Sequence, residues 1–222
     1  MIPQFHNLSL WQTALTHRSA LNEKLSASTL SNERLEFLGD AVLELLTTEF
    51  LYHRFTDLQE GELTAYRSAL VKTETLAKVA GRLKLGEQLL ISRGEENTGG
   101  RTNPSLLADV FEAVVGALFL DQGLEVVRQF LTDQLFGELT HITASQDYKD
   151  AKSTLQEISQ AKGYGTPVYQ TVSASGPDHD KEFVIHAVID DKIMGEGRGK
   201  SKQSAQQQAA KQAIEQIGKQ LV

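Results

Sequence analysis

The stretch "NERLEFLGDAVLEL", residues 32–45, decides how the first part of this chain folds. Leu35, Leu38, Val42 and Leu45 recur at the three- and four-residue spacing of one helix face and predict a buried stripe. Glu33, Glu36, Asp40 and Glu44 recur at intervals of three, four and four, and at 100° per residue they share an arc of about 80° on the other side. A solvated acidic face is the ordinary reading of such a helix. A second segment, "LLADVFEAVVGALF" (106–119), weakens that reading. Its Asp109 and Glu112 share a face of an otherwise apolar helix, where unpaired carboxylates are rare unless something compensates them.

Two like charges about 4 Å apart repel by roughly 4 kcal/mol at an effective dielectric near 20. Converging acids therefore need a cation or shared protons. Carboxylate di-iron bundles add a His three residues after a Glu, whereas here the pairs are Glu33-x-x-Glu36 and Asp109-x-x-Glu112. An oxygen-only donor set suits Mg²⁺ or Mn²⁺ rather than iron or zinc. Mg²⁺ commonly works on phosphate, where ions activate a water and stabilise the leaving oxygen, and that leads to phosphodiester hydrolysis.

Outward from these segments, helical spacing continues in "LSLWQTALTH", in "ELTAYRSALVKTETLAKVAGRL" and in "LEVVRQFLTDQLFGEL", while strand-like alternation is nearly absent. "SRGEENTGGRTNP" (92–104) reads as a Gly-rich loop closed by Pro104 at the start of the next helix. The polar "THITASQDYKD" reads as a linker. Beyond it the pattern changes to a helix at about 150–162 ended by "GYG", then strands in "PVYQTVSA", "KEFVIHAVID" and "DKIMGEGRG". Ser201 is a good N-cap for a last helix in which Ala205, Ala209, Ala213 and Ile217 recur every four residues. The predicted architecture is an all-α domain over 1–143, a linker at 144–149 and a small α+β unit of order α-β-β-β-α over 150–220.

Charge divides the same way. The first 146 residues hold 12 Lys and Arg against 19 Asp and Glu, and the remainder holds 10 against 10, so the first part carries the whole net charge of −7. There is no cysteine, which excludes disulfides and thiolate chemistry. The start of the chain, "MIPQFHNLSL", has neither a basic nor an apolar leader region, and the longest apolar run, "AVVGALFL" (113–120), is too short to span a bilayer. A cytoplasmic protein is expected.

The motif in 32–45 resembles the signature of the bacterial-type ribonuclease III family, the double-strand-specific endoribonucleases. The likeness continues through "ALTHRSA" (14–20), "EGELTAYRSALV" (60–71) and "LLADVFEAVVGALFLDQG" (106–123), and the last seventy or so residues resemble a double-stranded-RNA-binding domain. The resemblance implies a Mg²⁺-dependent hydrolase, with Mn²⁺ as a substitute, that leaves 5′-phosphate and 3′-hydroxyl ends with short 3′ overhangs. Ribosomal, messenger and transfer RNA precursors are its implied substrates. It assigns metal binding to Glu36, Asp40, Asp109 and Glu112, with Asp40 and Glu112 as the central catalytic pair and Glu33 and Glu60 as further acids of the cleavage site. It also implies a homodimer in which Phe37 plugs an apolar pocket of the partner, and it leaves Glu44 as surface.

In the RNA-binding domain the implied contacts are Gln156 and Glu157 on the first helix, Pro177, Asp178 and His179 in the turn "GPDHD", and Lys200, Ser201 and Lys202 at the start of the last helix. Such contacts read the shape, phosphates and 2′-hydroxyls of about 16 base pairs of A-form duplex. The sequence departs from the family pattern at Gln203 and Gln206, where basic residues are expected; each lost phosphate contact lowers the log–log salt slope by about 0.9 on B-DNA. A non-cleaving RNA-binding protein and a DNA nuclease are the competing readings.

Overall fold

Asn7 Oδ1 accepts the Ser9 N–H and starts α1 (Leu8–Ala14), and the His17 ring in the same way caps α2 (Arg18–Asn22). The computed structural model describes residues 2–23, 29–145, 151–177 and 181–219, and the chain divides into two units, Met1–Tyr148 and Lys149–Val222. In the first unit α3 (Glu33–Arg54), α4 (Glu60–Val71) and α5 (Thr73–Arg82) follow. The periodic run containing α4 and α5 is broken at Lys72, whose ψ of 151° is extended rather than helical. Short helices α6 (Leu85–Gln88) and α7 (Arg93–Asn97) and a 3₁₀ turn (Gly100–Thr102) lead to α8 (Pro104–Gln122), α9 (Leu124–Gln134) and α10 (Glu138–Ser145).

Three expectations change at this level. The loop at 92–104 contains α7 and the 3₁₀ turn, because Ser92 Oγ accepts the Glu95 N–H and Arg101 donates to the carbonyls of Gly86 and Leu89. The stretch read as a linker begins as helix: Leu139 and Ile142 on α10 are buried against Tyr66, Ala69 and Leu70 of α4. Leu45 is not in the buried stripe. It is 57% exposed, while Leu35, Gly39, Val42, Leu43 and Leu46 face the core. The wheel erred because the face that meets α8 is centred on a glycine, which a count of apolar side chains does not register.

Helix α8 runs through the middle of the first unit, with Val110, Phe111, Val114, Val115 and Leu118 fully buried. Full burial of such side chains contributes about 1.5–3 kcal/mol each. It crosses α3 where both helices carry glycine. A Cβ on Gly39 would lie 1.8 Å from the Glu112 carbonyl oxygen, and one on Gly116 would lie 2.2 Å from that of Leu35. The backbones touch there, and no larger residue fits.

The second unit has α11 (Ala151–Ala161), an antiparallel sheet in the order β1 (Val168–Ser175), β2 (Glu182–Ile189), β3 (Lys192–Gly199), and α12 (Lys202–Lys219). Asp190 and Asp191 both take positive φ (49° and 61°), the geometry of a tight hairpin between β2 and β3. The two helices cover one sheet face. Ala205, Ala209, Ala213 and Ile217 are buried as predicted, and Gly195 and Gly197 let α12 lie directly on β3. Among the described residues no helix is long and apolar enough to cross a membrane.

Candidate functional site

The crossing at Gly39 and Gly116 assembles the acids. Glu36 and Asp40 flank Gly39 on α3, and the Glu112 backbone is the surface against which Gly39 rests. Asp109, one turn earlier on α8, completes the group. Glu112 and Glu36 both feel the acids around them. The Glu112 carboxyl is pushed up to about 8, first by burial and then by Asp40, Glu36 and Asp109 in turn. Glu36 is also raised, by burial, then by Asp109, Glu33 and Asp40, with Arg18 acting against them. Burial raises Asp109, and His17 partly offsets the rise.

Glu138 shows what an ordinary buried acid looks like in this fold. Only 6% exposed, it accepts from Lys78 Nζ at 2.6 Å and from Arg82; although burial raises its carboxyl, those hydrogen bonds outweigh it and hold the group below its usual range. Glu112 has the reverse surroundings, because Asp40, Glu36 and Asp109, the charges that act on it, are all acidic. Carboxyls raised by burial and by one another in this way mark a candidate functional site. As placed, no three acid or imidazole groups among the described residues form a metal-holding set. The donor chemistry nonetheless fits a hard divalent cation: four carboxylates, half-buried or exposed, from two touching helices, with mutual repulsion for an ion to relieve.

The remaining acids separate. Glu33 stands at the edge of the cluster, where its carboxylate meets Arg18 at 3.5 Å and accepts from Ser31 Oγ at 2.8 Å. Glu60 is not brought to the cluster within one chain. It starts α4 and lines a groove with Thr48, Tyr52 and Arg67, some 12–18 Å beyond Asp40 along α3 at 1.5 Å per residue. Glu44 is paired with Arg67 at 2.9 Å. Two groups went unread in the sequence: His17 beside Asp109, and the Gly39–Gly116 contact. A lone glycine inside an otherwise strong helix, costing about 1 kcal/mol relative to Ala, was the available signal for the second. For the first, only the motif "ALTHRSA" hinted at it.

Phe37 projects from α3 with 82% of its surface exposed. Beside it lies a groove of about 720 Å³ lined by Leu10, Thr13, Leu30, Leu38 and Leu120.

In the second unit Gln156 and Glu157 are exposed on α11, on the side away from buried Leu155. Pro177, Lys200, Ser201 and Lys202 are also exposed. Ser201 caps α12, its Oγ accepting the Ser204 N–H at 3.1 Å. Asp178 and His179 lie outside the described residues.

A family model described as Ribonuclease-III-like matches residues 7–139, and one described as a double-stranded RNA binding motif matches residues 151–217. Curated relatives called Ribonuclease 3 include one from Desulforamulus reducens, 46% identical over 96% of this chain and 87% of its own length. Another, from Geobacillus thermodenitrificans, is 46% identical over 96% and 86%. A solved nuclease domain of ribonuclease III from Campylobacter jejuni, described for flexibility in a region involved in dimer formation, is 42% identical. It superposes with a TM-score of 0.55 over 59% of this chain and 87% of that one.

A helical nuclease unit followed by a double-stranded-RNA-binding unit defines a class of hydrolytic endoribonucleases. This chain belongs to the ribonuclease III family. Enzymes of that family depend on a metal ion.

Proposed function

We propose that this protein is a Mg²⁺-dependent endoribonuclease of double-stranded RNA, with Mn²⁺ able to substitute, that leaves 5′-phosphate and 3′-hydroxyl ends and a short 3′ overhang. The observation that carries this reading is the convergence of Glu36, Asp40, Asp109 and Glu112 at the glycine crossing, with Glu112 pushed up to about 8 among acidic neighbours. Glu36, Asp40, Asp109 and Glu112 would hold the metal, which when bound activates a water and neutralises charge on the phosphate. The crossing supplies position, since the four carboxylates stand on two helices in backbone contact, and the charges of Arg18 and His17 partly offset the rise at Glu36 and Asp109. Glu33 supports the site from its edge; Glu60 is assigned to it by resemblance, without support from the geometry of a single chain.

The protein acts as a homodimer in this reading. Phe37 and the adjoining apolar groove place a knob and a hole on one patch, as a two-fold interface requires. Two identical centres across one duplex produce staggered cuts. The second unit binds the duplex through Gln156, Glu157, Pro177, Asp178, His179, Lys200, Ser201 and Lys202, over domains bounded at about 143 and 150. Its cytoplasmic substrates are structured precursors of ribosomal, messenger and transfer RNA.

Incubating the purified chain with a long RNA duplex, with and without Mg²⁺, and mapping the product ends tests this. Cleavage only with the ion, into fragments with 5′-phosphates, is expected. Binding without cleavage would instead favour an RNA-holding role, and equal cutting of duplex DNA would favour a general nuclease.

A further inference from the structure

Gln206 follows Lys202 by four residues on α12, so on a helical wheel it occupies the same side as a phosphate-gripping lysine. The structure gives it different work. Its Oε1 accepts from Lys152 Nζ on α11 at 2.9 Å, and the next residue, Gln207, accepts the Ala151 N–H at 2.9 Å through its own Oε1. The second bond satisfies one of the free amides at the start of α11, so a side chain of one helix caps the other. The Lys152 ammonium also lies 5.1 Å from the centre of the Tyr169 ring on β1, held between that ring and the glutamine. Both glutamines are half-buried, whereas Gln203 on the same helix is exposed.

We propose that Gln206 and Gln207 are positioning residues for RNA binding: through Lys152 and Ala151 they lock the helix bearing Gln156 and Glu157 to α12, which begins at Lys202 directly after Lys200 and Ser201. This rests on the RNA-binding reading of the second unit. The two groups of contacts address different grooves of one rigid duplex, so the offset between the helices determines whether both engage together. A lysine at 206 would face the Lys152 ammonium across the site of a hydrogen bond, and repulsion would part the helices. The departure from the family pattern is thus two different changes. At 203 a phosphate contact is missing. At 206 an amide oxygen replaces a charge because it braces the fold.

The test measures binding of a 20-base-pair RNA duplex by the full chain in chelator across a salt series, at temperatures well below melting. Gln203→Lys is expected to tighten binding and steepen the log–log salt slope by about 0.9, taking the DNA value as a guide. Gln206→Lys is expected to weaken binding roughly fivefold, the effect of one lost hydrogen bond, without steepening the slope. The exchange Lys152→Gln with Gln206→Lys, which reverses donor and acceptor, is expected to restore wild-type affinity. If Gln206→Lys tightens binding as Gln203→Lys does, or if the exchange fails to rescue, the inference is overturned. A wild-type chain that does not bind the duplex at all overturns the RNA-binding reading itself, and the inference with it.

Discussion

The two units solve their chemistry in opposite ways. In the first, residues some seventy positions apart meet because two helices touch backbone to backbone, and the resulting acids are partly desolvated and mutually repelling. In the second, the described candidate contacts Gln156, Glu157, Pro177, Lys200, Ser201 and Lys202 are exposed side chains, and Ser201 caps the start of α12. The first site is therefore a property of packing, and damage to the packing should destroy it. The second is a property of surface charge, and it should respond in small, additive, salt-dependent steps.

The sharpest way to test that contrast is Glu112→Ala. It should lower the cleavage rate about a thousandfold or more, as removal of a group that stabilises transition-state charge does, and leave duplex binding within a factor of two in a filter-binding assay. Comparable losses of both would mean that the two units are not energetically separate. Gly39→Val comes next. With a Cβ 1.8 Å from the Glu112 carbonyl oxygen, it should destabilise the first unit by about 3 kcal/mol or more in a urea titration. Gly61→Ala, on α4 with nothing within 4 Å, should instead be neutral or stabilise by up to about 1 kcal/mol.

Phe37→Ala removes an exposed aromatic and should not harm the monomer. If the patch is the two-fold interface, sedimentation should show dimer association weakened by about 3 kcal/mol, on the scale of Phe truncation in a core. An unchanged assembly would remove Phe37 from the interface.

The acid cluster also predicts an unusual response to pH. Glu112 has its carboxyl raised from an ordinary 4.5 to about 8, so between those values the folded chain holds a proton that the unfolded chain has released. Stability measured in chelator should fall as pH rises through that window, and Glu112→Gln should flatten the slope. Glu138, held low by Lys78 and Arg82 against the effect of its burial, contributes with the opposite sign: its stabilisation is lost as pH falls. The smallest effect belongs to the second unit. Lys202→Gln should weaken RNA binding and flatten the salt slope by about 0.9 at most, with no change in thermal stability.

Much of this protein was legible in its sequence. The acids at 33, 36 and 40 and at 109 and 112, on segments of helical period, marked both the elements and the chemistry, because carboxylates at three- and four-residue spacing must share a face. Ala205, Ala209, Ala213 and Ile217 named the buried face of α12 for the same reason. Leu45 was misplaced and the helix inside the linker was missed, because both depend on what the neighbouring element offers: a glycine groove for α3, and the apolar face of α4 for α10. Glu60 was assigned to the site by the resemblance, and within one chain it lines a separate groove with Thr48, Tyr52 and Arg67. Gln206 looked like a missing lysine and is bonded to one.

Local periodicity, capping and the kinds of side chain present determined which helices and strands form and that two helices of the first unit carry acids on a shared face, since those follow from neighbours a few residues apart. Which acids meet, and which polar residues brace rather than bind, was decided only when distant segments came together. Desolvation and Coulomb repulsion depend on through-space separation, and only the tertiary fold sets that.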